Sequence, residues 1–283
     1  MRWSLVDAAR IDPLVRFLGP REAGCVAFTR RLIDRGRVVV PPRRRYRVLV
    51  RSVGGRITGA ILQDTSGLYF PVIDPVAPIV EPDAIRLLER GSKRIYSIMG
   101  VGDDVLALEA AFGRPVKQAV DYHLMVQSQP ALDTSSTRLP RGLEIHTATA
   151  ADANRLFGIQ KKYELEEVLL PGSVFRDDAC MHHLVEMLQR EVTLYATLDG
   201  VAVAKVGTNA RGLFFDQIGG VFTEPHLRGR GIATLLMARL LETIAADRKS
   251  GTLFVKKENG AALRMYSNLG FRLENEFRIS YYG

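Results

Sequence analysis

Residues Gly219 to Ala233, GGVFTEPHLRGRGIA, constrain the fold more than any other stretch of the chain. An apolar strand ends at Pro225, and a turn holding Arg228, Gly229, Arg230, Gly231, Ile232 and Ala233 follows. The next segment is an amphipathic helix, with Leu235, Leu236, Leu240, Leu241 and Ile244 on one stripe. A glycine-rich turn at a helix N-terminus presents several backbone N–H groups where the helix dipole is positive, an arrangement suited to a pyrophosphate. The turn is not a Walker loop, because no Gly-Lys-Ser/Thr ends it. Nor is it a dinucleotide fingerprint, because Gly-x-Gly-x-x-Gly is absent.

The triplet Arg228, Gly231 and Ala233 fits Arg/Gln-x-x-Gly-x-Gly/Ala, and the run resembles the acyl-CoA loop of the GNAT N-acetyltransferases. A second block supports the resemblance: the strand Leu253-Phe254-Val255, then Asn259, Ala262, Tyr266 and a terminating Gly270-Phe271. The plain alternative is a helix-capping glycine turn in another α/β protein. The resemblance implies acetyl-CoA as co-substrate, a primary amine as acceptor and no metal. It implies main-chain contacts from the bulged strand at Val221, Phe222 and Thr223, and pyrophosphate contacts from Arg228, Gly229, Arg230, Gly231, Ile232, Ala233 and Thr234. Asn259 and Ala262 would border the pantetheine arm, and Tyr266 would protonate the departing sulfur. An ordinary phenol titrates near ~10 and carries that proton at neutral pH. The glycines 219 and 220 are expected to relieve crowding beside the acyl chain. No motif fixes the general base; Glu164, Glu166, Glu167, Asp216 and Glu224 are the candidates. His182 and His183, adjacent on one helix, cannot share a face, which argues against a metal site.

The rest of the chain fits two domains, 1–130 and 141–283, joined by a polar, proline-bounded linker over Ser128–Pro140. The expected class is α/β, with a mixed sheet: two GNAT-like domains, each a mostly antiparallel sheet with a central parallel pair, flanked by helices. In the second domain the pattern predicts a strand at 143–146 and helices over 150–168 and 178–190. A hairpin follows at Asp199-Gly200, a turn at 209–212 and closing strands near 271–274 and 277–281. The first domain repeats that order, with a hairpin at Gly54-Gly55, a strand ending at Asp74-Pro75, helices near 82–90 and 104–112, and a last strand over 120–126 that closes its own set. Gly113 corresponds to Gly270, which sets Glu109 against Tyr266. After Pro75 there is no Arg-x-x-Gly, and prolines remove N–H donors. The first domain is therefore expected to be a degenerate copy, with an unrelated α/β domain as the alternative.

Charge separates the halves. Of the formal +8, residues 1–138 hold 21 Lys/Arg against 14 Asp/Glu, and the remainder 18 against 17. The densest cluster is Arg43, Arg44, Arg45 and Arg47, preceded by Arg30, Arg31, Arg35 and Arg37. This stretch reads as a solvated basic loop, with a nucleic-acid surface as the alternative. No apolar run of eighteen residues occurs, and the start does not read as a secretory signal, so no membrane is expected. Cys25 and Cys180 form no disulfide framework, which fits a cytoplasmic protein. Two other readings stay open: a non-catalytic acyl-CoA sensor or scaffold, and an RNA-associated protein using the basic half. Tandem GNAT-like aminoacyl transferases typically lack an intact CoA loop, which this chain has.

Overall fold

The computed structural model describes residues 2–42, 45–76, 79–128 and 140–282. Most of the expected linker and Arg43 and Arg44 of the basic cluster therefore lie outside the described residues. The N-terminal half runs β1 (Arg2–Leu5), α1 (Ile11–Leu18), α2 (Val26–Thr29) and a small ribbon of β2 (Ile33–Asp34) and β3 (Arg37–Val38). It continues with β4 (Tyr46–Val53), β5 (Arg56–Asp64), β6 (Leu68–Ile73), α3 (Pro82–Glu89), β7 (Ser97–Val101), α4 (Gly102–Phe112) and β8 (Gln118–Gln127). The C-terminal half repeats this without the ribbon: β9 (Leu143–Thr147), α5 (Ala153–Tyr163), α6 (Asp177–Arg190), β10 (Thr193–Leu198), β11 (Val201–Arg211) and β12 (Phe215–Thr223). It closes with α7 (Ile232–Ala246), β13 (Ser250–Lys256), α8 (Gly260–Asn268) and β14 (Phe271–Tyr281).

Local chemistry explains most of these boundaries. Both hairpin tips have two residues at positive φ, Gly54 and Gly55 at 55° and 79°, Asp199 and Gly200 at 49° and 81°. That is the type I′ geometry which matches strand twist. Gly113 and Gly270 end α4 and α8 at φ of 59° and 84°, where glycine carries no Cβ penalty. Three expectations need correction. The helix over 150–168 is α-helical only to Tyr163; Glu164–Val168 widens into a π-turn, with Leu169 N–H donating to Glu164 C=O. The wider turn shifts the helical phase, so Val168 leaves the apolar stripe and is exposed. Strand β11 runs on through Arg211, since Arg211 pairs with Asp216, and the turn falls at 212–214. The two closing strands are a single strand, β14, in which a bulge between Leu273 and Asn275 absorbs the polar residues.

The halves share one twelve-stranded sheet ordered β1-β4-β5-β6-β7-β14-β8-β13-β12-β11-β10-β9. Each half is mainly antiparallel with one internal parallel pair, β6–β7 and β12–β13. The last strands are exchanged: β8 lies against β13 of the other half, and β14 against β7. Strand 120–126 thus closes the partner half's set rather than its own. Side chains lock the join as well. Glu22, fully buried, accepts the N–H groups of Leu213 and Phe214 at 2.6 Å each, and Thr252 donates to the Ala23 carbonyl at 3.0 Å. Hydrogen bonds to a charged acceptor contribute roughly 1.5–3 kcal/mol each.

Apolar burial follows the repeat. Helix α7 packs Ile232, Leu236, Met237, Leu240, Leu241 and Ile244 onto Ala204, Val206, Ile218 and Leu253. On the opposite face α5 and α6 cover Tyr195, Ala202 and Phe222 with Leu156, Ile159, Leu184 and Leu188. The basic cluster is only partly solvated. The Arg31 guanidinium lies 4.4 Å from the Phe70 ring and donates to the Ala27 carbonyl, and Arg47 donates to the Leu87 carbonyl. Cys25 and Cys180 are both buried as free thiols.

Candidate active site

Strand β12 is where the sheet opens. Its parallel pairing with β13 stops at Ile218–Leu253, whereas β13 stays paired to β8 through Lys256. Gly219–Thr223 therefore borders a gap with no strand register on its β13 side. On the β11 side the register jumps from Gly207–Gly219 to Lys205–Phe222, leaving Gly220 and Val221 opposite the single residue Val206. This is a bulge, and Gly220 takes φ of 62° within it. The two glycines line the cavity described below and also make room for the protein's own side chains. A Cβ on Gly219 would collide with the Asn209 amide, and one on Gly220 would meet Lys205 Nζ at 2.8 Å.

Beyond Thr223 the chain makes one 3₁₀ turn at Pro225–Leu227 and enters the glycine loop. Gly229 and Gly231 sit at φ of 74° and 77°, and Gly231 caps α7 without a side-chain bond. Among the described residues no acceptor takes the backbone N–H of any residue from Gly229 to Thr234; the first loop-to-helix bond is Leu235 N–H to Gly231 C=O. Consecutive orphan donors at a positive helix end form an anion cradle. Arg228 does not aim at it. Its Nε donates to the Thr223 carbonyl at 3.0 Å, and its Nη2 pairs with Glu166 at 2.7 Å. Arg230 is exposed and forms no ion pair among the described residues.

A cavity of about 1460 Å³ lies along the opening and is lined by both halves. Val221, Asn259, Ala262 and Tyr266 line it together; Phe222 and the loop residues 228–234 do not. Phe222 and Ile232 have buried side chains, so any ligand contact there is through the main chain. Thr223 is buried with its hydroxyl unpartnered. Asn259 is the N-cap of α8, its Oδ1 accepting the Ala262 N–H at 3.1 Å. Tyr266 is 7% exposed, and burial pushes its phenol well above the ordinary range, so it is protonated at neutral pH. The opposite wall comes from the N-terminal half: Gln118, Val120 and Tyr122 of β8 line the same cavity, with Tyr122 edge-on to Phe254 at 5.2 Å.

The candidate bases separate cleanly. Asp216 is fully buried between Arg211 and Lys249, 3.0 Å from each, and lies roughly 17 Å up an extended strand from Val221. Glu224 is held by Lys162 at 2.7 Å, and Glu166 by Arg228. Glu164 and Glu167 line the cavity, the first accepting from Gln160 at 2.9 Å and the second pairing with Lys256 at 3.0 Å. Two residues that sequence reasoning passed over complete the site. Lys205, 2% exposed, donates to the Gly220 carbonyl at 2.9 Å, its Nζ 4.4 Å from the Tyr163 ring centre. Tyr163 reaches the Gly220 backbone from α5, and burial raises its phenol to about 12. The signal for Lys205 was a lone lysine inside the apolar strand VAVAKVG. Among the described residues, no His, Cys, Asp and Glu group of three or more could hold a metal ion, and no helix is long and apolar enough to cross a membrane.

The fold is of the GNAT type, with its repeat present twice. A family profile described as FR47-like protein matches residues 202–279. No curated protein matches the chain. Among solved structures, a Drosophila protein is similar over 99% of this chain and 98% of its own, at 14% identity and a TM-score of 0.64. A tandem GNAT protein from the clavulanic acid biosynthesis pathway is similar over 100% and 98%, at 15% identity and 0.58. A GCN5-related N-acetyltransferase from Sphaerobacter thermophilus is similar over 99% and 94%, at 15% identity and 0.56. Over almost its whole length the chain has the fold of a tandem GNAT protein.

Proposed function

We propose that the chain transfers an acetyl group from acetyl-CoA to a primary amine in its C-terminal half, residues 141–283, with residues 1–130 as a copy that does not bind CoA. The observation that carries this reading is the opening of β12 from β13, which ends beside a run of unbonded N–H groups at Gly229–Thr234. The cradle would take the pyrophosphate, the pantetheine arm would pass Asn259 and Ala262, and the thioester would lie against Val221. A neutral amine attacks the carbonyl carbon, and the oxyanion is stabilised by backbone N–H donors. The C–S bond then breaks, and Tyr266, protonated through burial, gives its proton to the leaving thiolate. The nitrogen's surplus proton leaves towards the Glu164 and Glu167 side of the cavity.

The test is calorimetric titration with acetyl-CoA, followed by thiol release across a panel of primary amines. Tyr266→Phe is expected to lower kcat by on the order of 100-fold or more, with the Kd for acetyl-CoA nearly unchanged. Tight binding with no turnover on any amine would instead make the chain an acyl-CoA sensor. Failure to bind acetyl-CoA would remove both readings. Nucleic acid is the less favoured partner, because Arg31 and Arg47 of the basic cluster are engaged inside the fold.

A further inference from the structure

The Gly220–Val221 peptide is gripped on one side only. Lys205 Nζ donates to the Gly220 carbonyl at 2.9 Å, from a strand that lies on the opposite side of β12 from the gap. The described peptides contain no cis bond. In a planar trans peptide the C=O of one residue and the N–H of the next point in opposite directions. Fixing the Gly220 oxygen on Lys205 Nζ therefore aims the Val221 N–H away from that ammonium, and beyond Ile218 no β13 register takes it up. Gly220 has no side chain and sits at φ of 62°, so the bulge is held from outside, by Lys205 at the Gly220 carbonyl and by Tyr163 at the Gly220 backbone.

We propose that Lys205 is a positioning residue: it holds and polarises the Gly220–Val221 peptide so that the Val221 N–H serves as the hydrogen-bond donor to the thioester carbonyl. The proposal rests on the acetyl-CoA reading above and adds to it a side chain that never touches the substrate. A charged donor on the carbonyl withdraws density from the amide nitrogen and strengthens the N–H as a donor, as in any hydrogen-bonded chain. The alternative duty for Lys205, an ion pair, is not met: no carboxylate lies within salt-bridge distance of Nζ among the described residues.

Burial lowers the Lys205 ammonium to about 7, with Glu164 and Cys180 opposing part of that drop. The groups facing it are Tyr163 on α5, Glu164 in the π-turn, Cys180 on α6 and Tyr195, its register partner on β10. Tyr163, Cys180 and Tyr195 are all raised above their usual values, so they stay neutral between pH 6 and 8.5. His183 approaches Glu164 at 3.7 Å and needs its own control.

The experiment is infrared difference spectroscopy of acetyl-CoA labelled with ¹³C at the thioester carbonyl, bound to the full chain, from pH 6 to 8.5. The carbonyl band is expected at lower frequency at pH 6 than at pH 8.5, with a midpoint near 7. Lys205→Arg should hold the band low at every pH, because guanidinium does not titrate there. Lys205→Met should hold it high and lower kcat more than it raises the Kd for acetyl-CoA. His183→Asn should leave the midpoint in place. A pH-independent wild-type band, or a Lys205→Met band equal to wild type in protein that still binds acetyl-CoA, overturns the proposal and leaves the acetyl-CoA reading standing. Absence of acetyl-CoA binding by wild type would remove that reading, and this proposal with it.

Discussion

The two parallel strand pairs, β6–β7 and β12–β13, occupy equivalent places in the repeat and differ in what fills them. Both partners diverge early, β7 after Tyr69–Ile98 and β13 after Ile218–Leu253, but in the C-terminal half the strand is bulged and Ala262, Met265 and Tyr266 of α8 border a cavity. In the N-terminal half β6 keeps an unbroken register with β5 from Gln63–Tyr69 to Gly59–Ile73. Counting back from Pro75 and Pro225 sets Pro71 at the place of Val221, and proline has no N–H to offer. Counting back from Gly113 and Gly270 sets Asp104 at the place of Ala261, and the Asp104 carboxylate accepts the Ile73 N–H at 3.1 Å. Where β6 has left β7, the Ile73 donor is taken by a buried acid of the same half, whereas Gly219–Thr223 borders the cavity. On the proposed reading a shared topology carries chemistry in one half alone, and one proline and one carboxylate mark the difference.

The comparison is tested hardest by Val221→Pro, which copies Pro71 into the bulge. Loss of a single oxyanion donor costs about 100- to 1000-fold in turnover, so acetyl transfer to a responsive amine should fall by that order while acetyl-CoA still binds. Next comes Gly231→Ala, which forces a Cβ onto φ of 77°. The free variant loop is expected to relax out of that region, and restoring it on binding costs ~1–2 kcal/mol, or roughly 5- to 30-fold weaker CoA in calorimetry. The matched change Gly113→Ala, at φ of 59° in the N-terminal half, should lower the melting temperature and leave the CoA affinity unchanged. The smallest effect on transfer, none, is expected for Asp104→Asn, whose readout is stability. Burial raises Asp104 to about 7 from an ordinary 3.8, so the folded state holds the proton more tightly than the unfolded chain. Its contribution to stability is full below pH 4 and is lost as pH rises through 7. Asparagine keeps an acceptor for Ile73 and cannot ionise, so the fall in Tm contributed between pH 4 and 7 should disappear. An unchanged Tm profile would mean that Asp104 is ionised in the folded protein, and the plugged gap would need another account.

Much of this was legible from residue order. Asp199-Gly200 and Gly54-Gly55 fix two hairpin tips, because only type I′ turns close such short loops between twisted strands. The Pro225-to-Ala233 run fixes a strand, a cradle and a helix start, since glycine at positive φ and orphan N–H groups are local properties. The π-turn after Tyr163 was not legible, because its hydrogen bond reaches one residue beyond the helical spacing and leaves no mark in the apolar pattern. The two-strand reading of 271–281 failed for a related reason. Asn275 and Glu276 resemble a turn in composition, yet they pair with Leu124 and His123 in a central strand, and the bulge at Glu274 absorbs the extra residue.

Alone, then, the sequence determined the elements, their repeat and the loop at 228–233, all of which rest on contacts within a few residues. Only the tertiary structure decided that β8 and β14 change places, so that Tyr122 of the first half lines the cavity beside Tyr266 of the second. It also decided that Lys205 lies against Gly220 and Asp104 against Ile73. Strand exchange keeps the same alternation of apolar and polar residues in either arrangement, so periodicity cannot distinguish them. The buried charges gain their meaning from partners 15 and 31 residues away, a separation that chain order does not record.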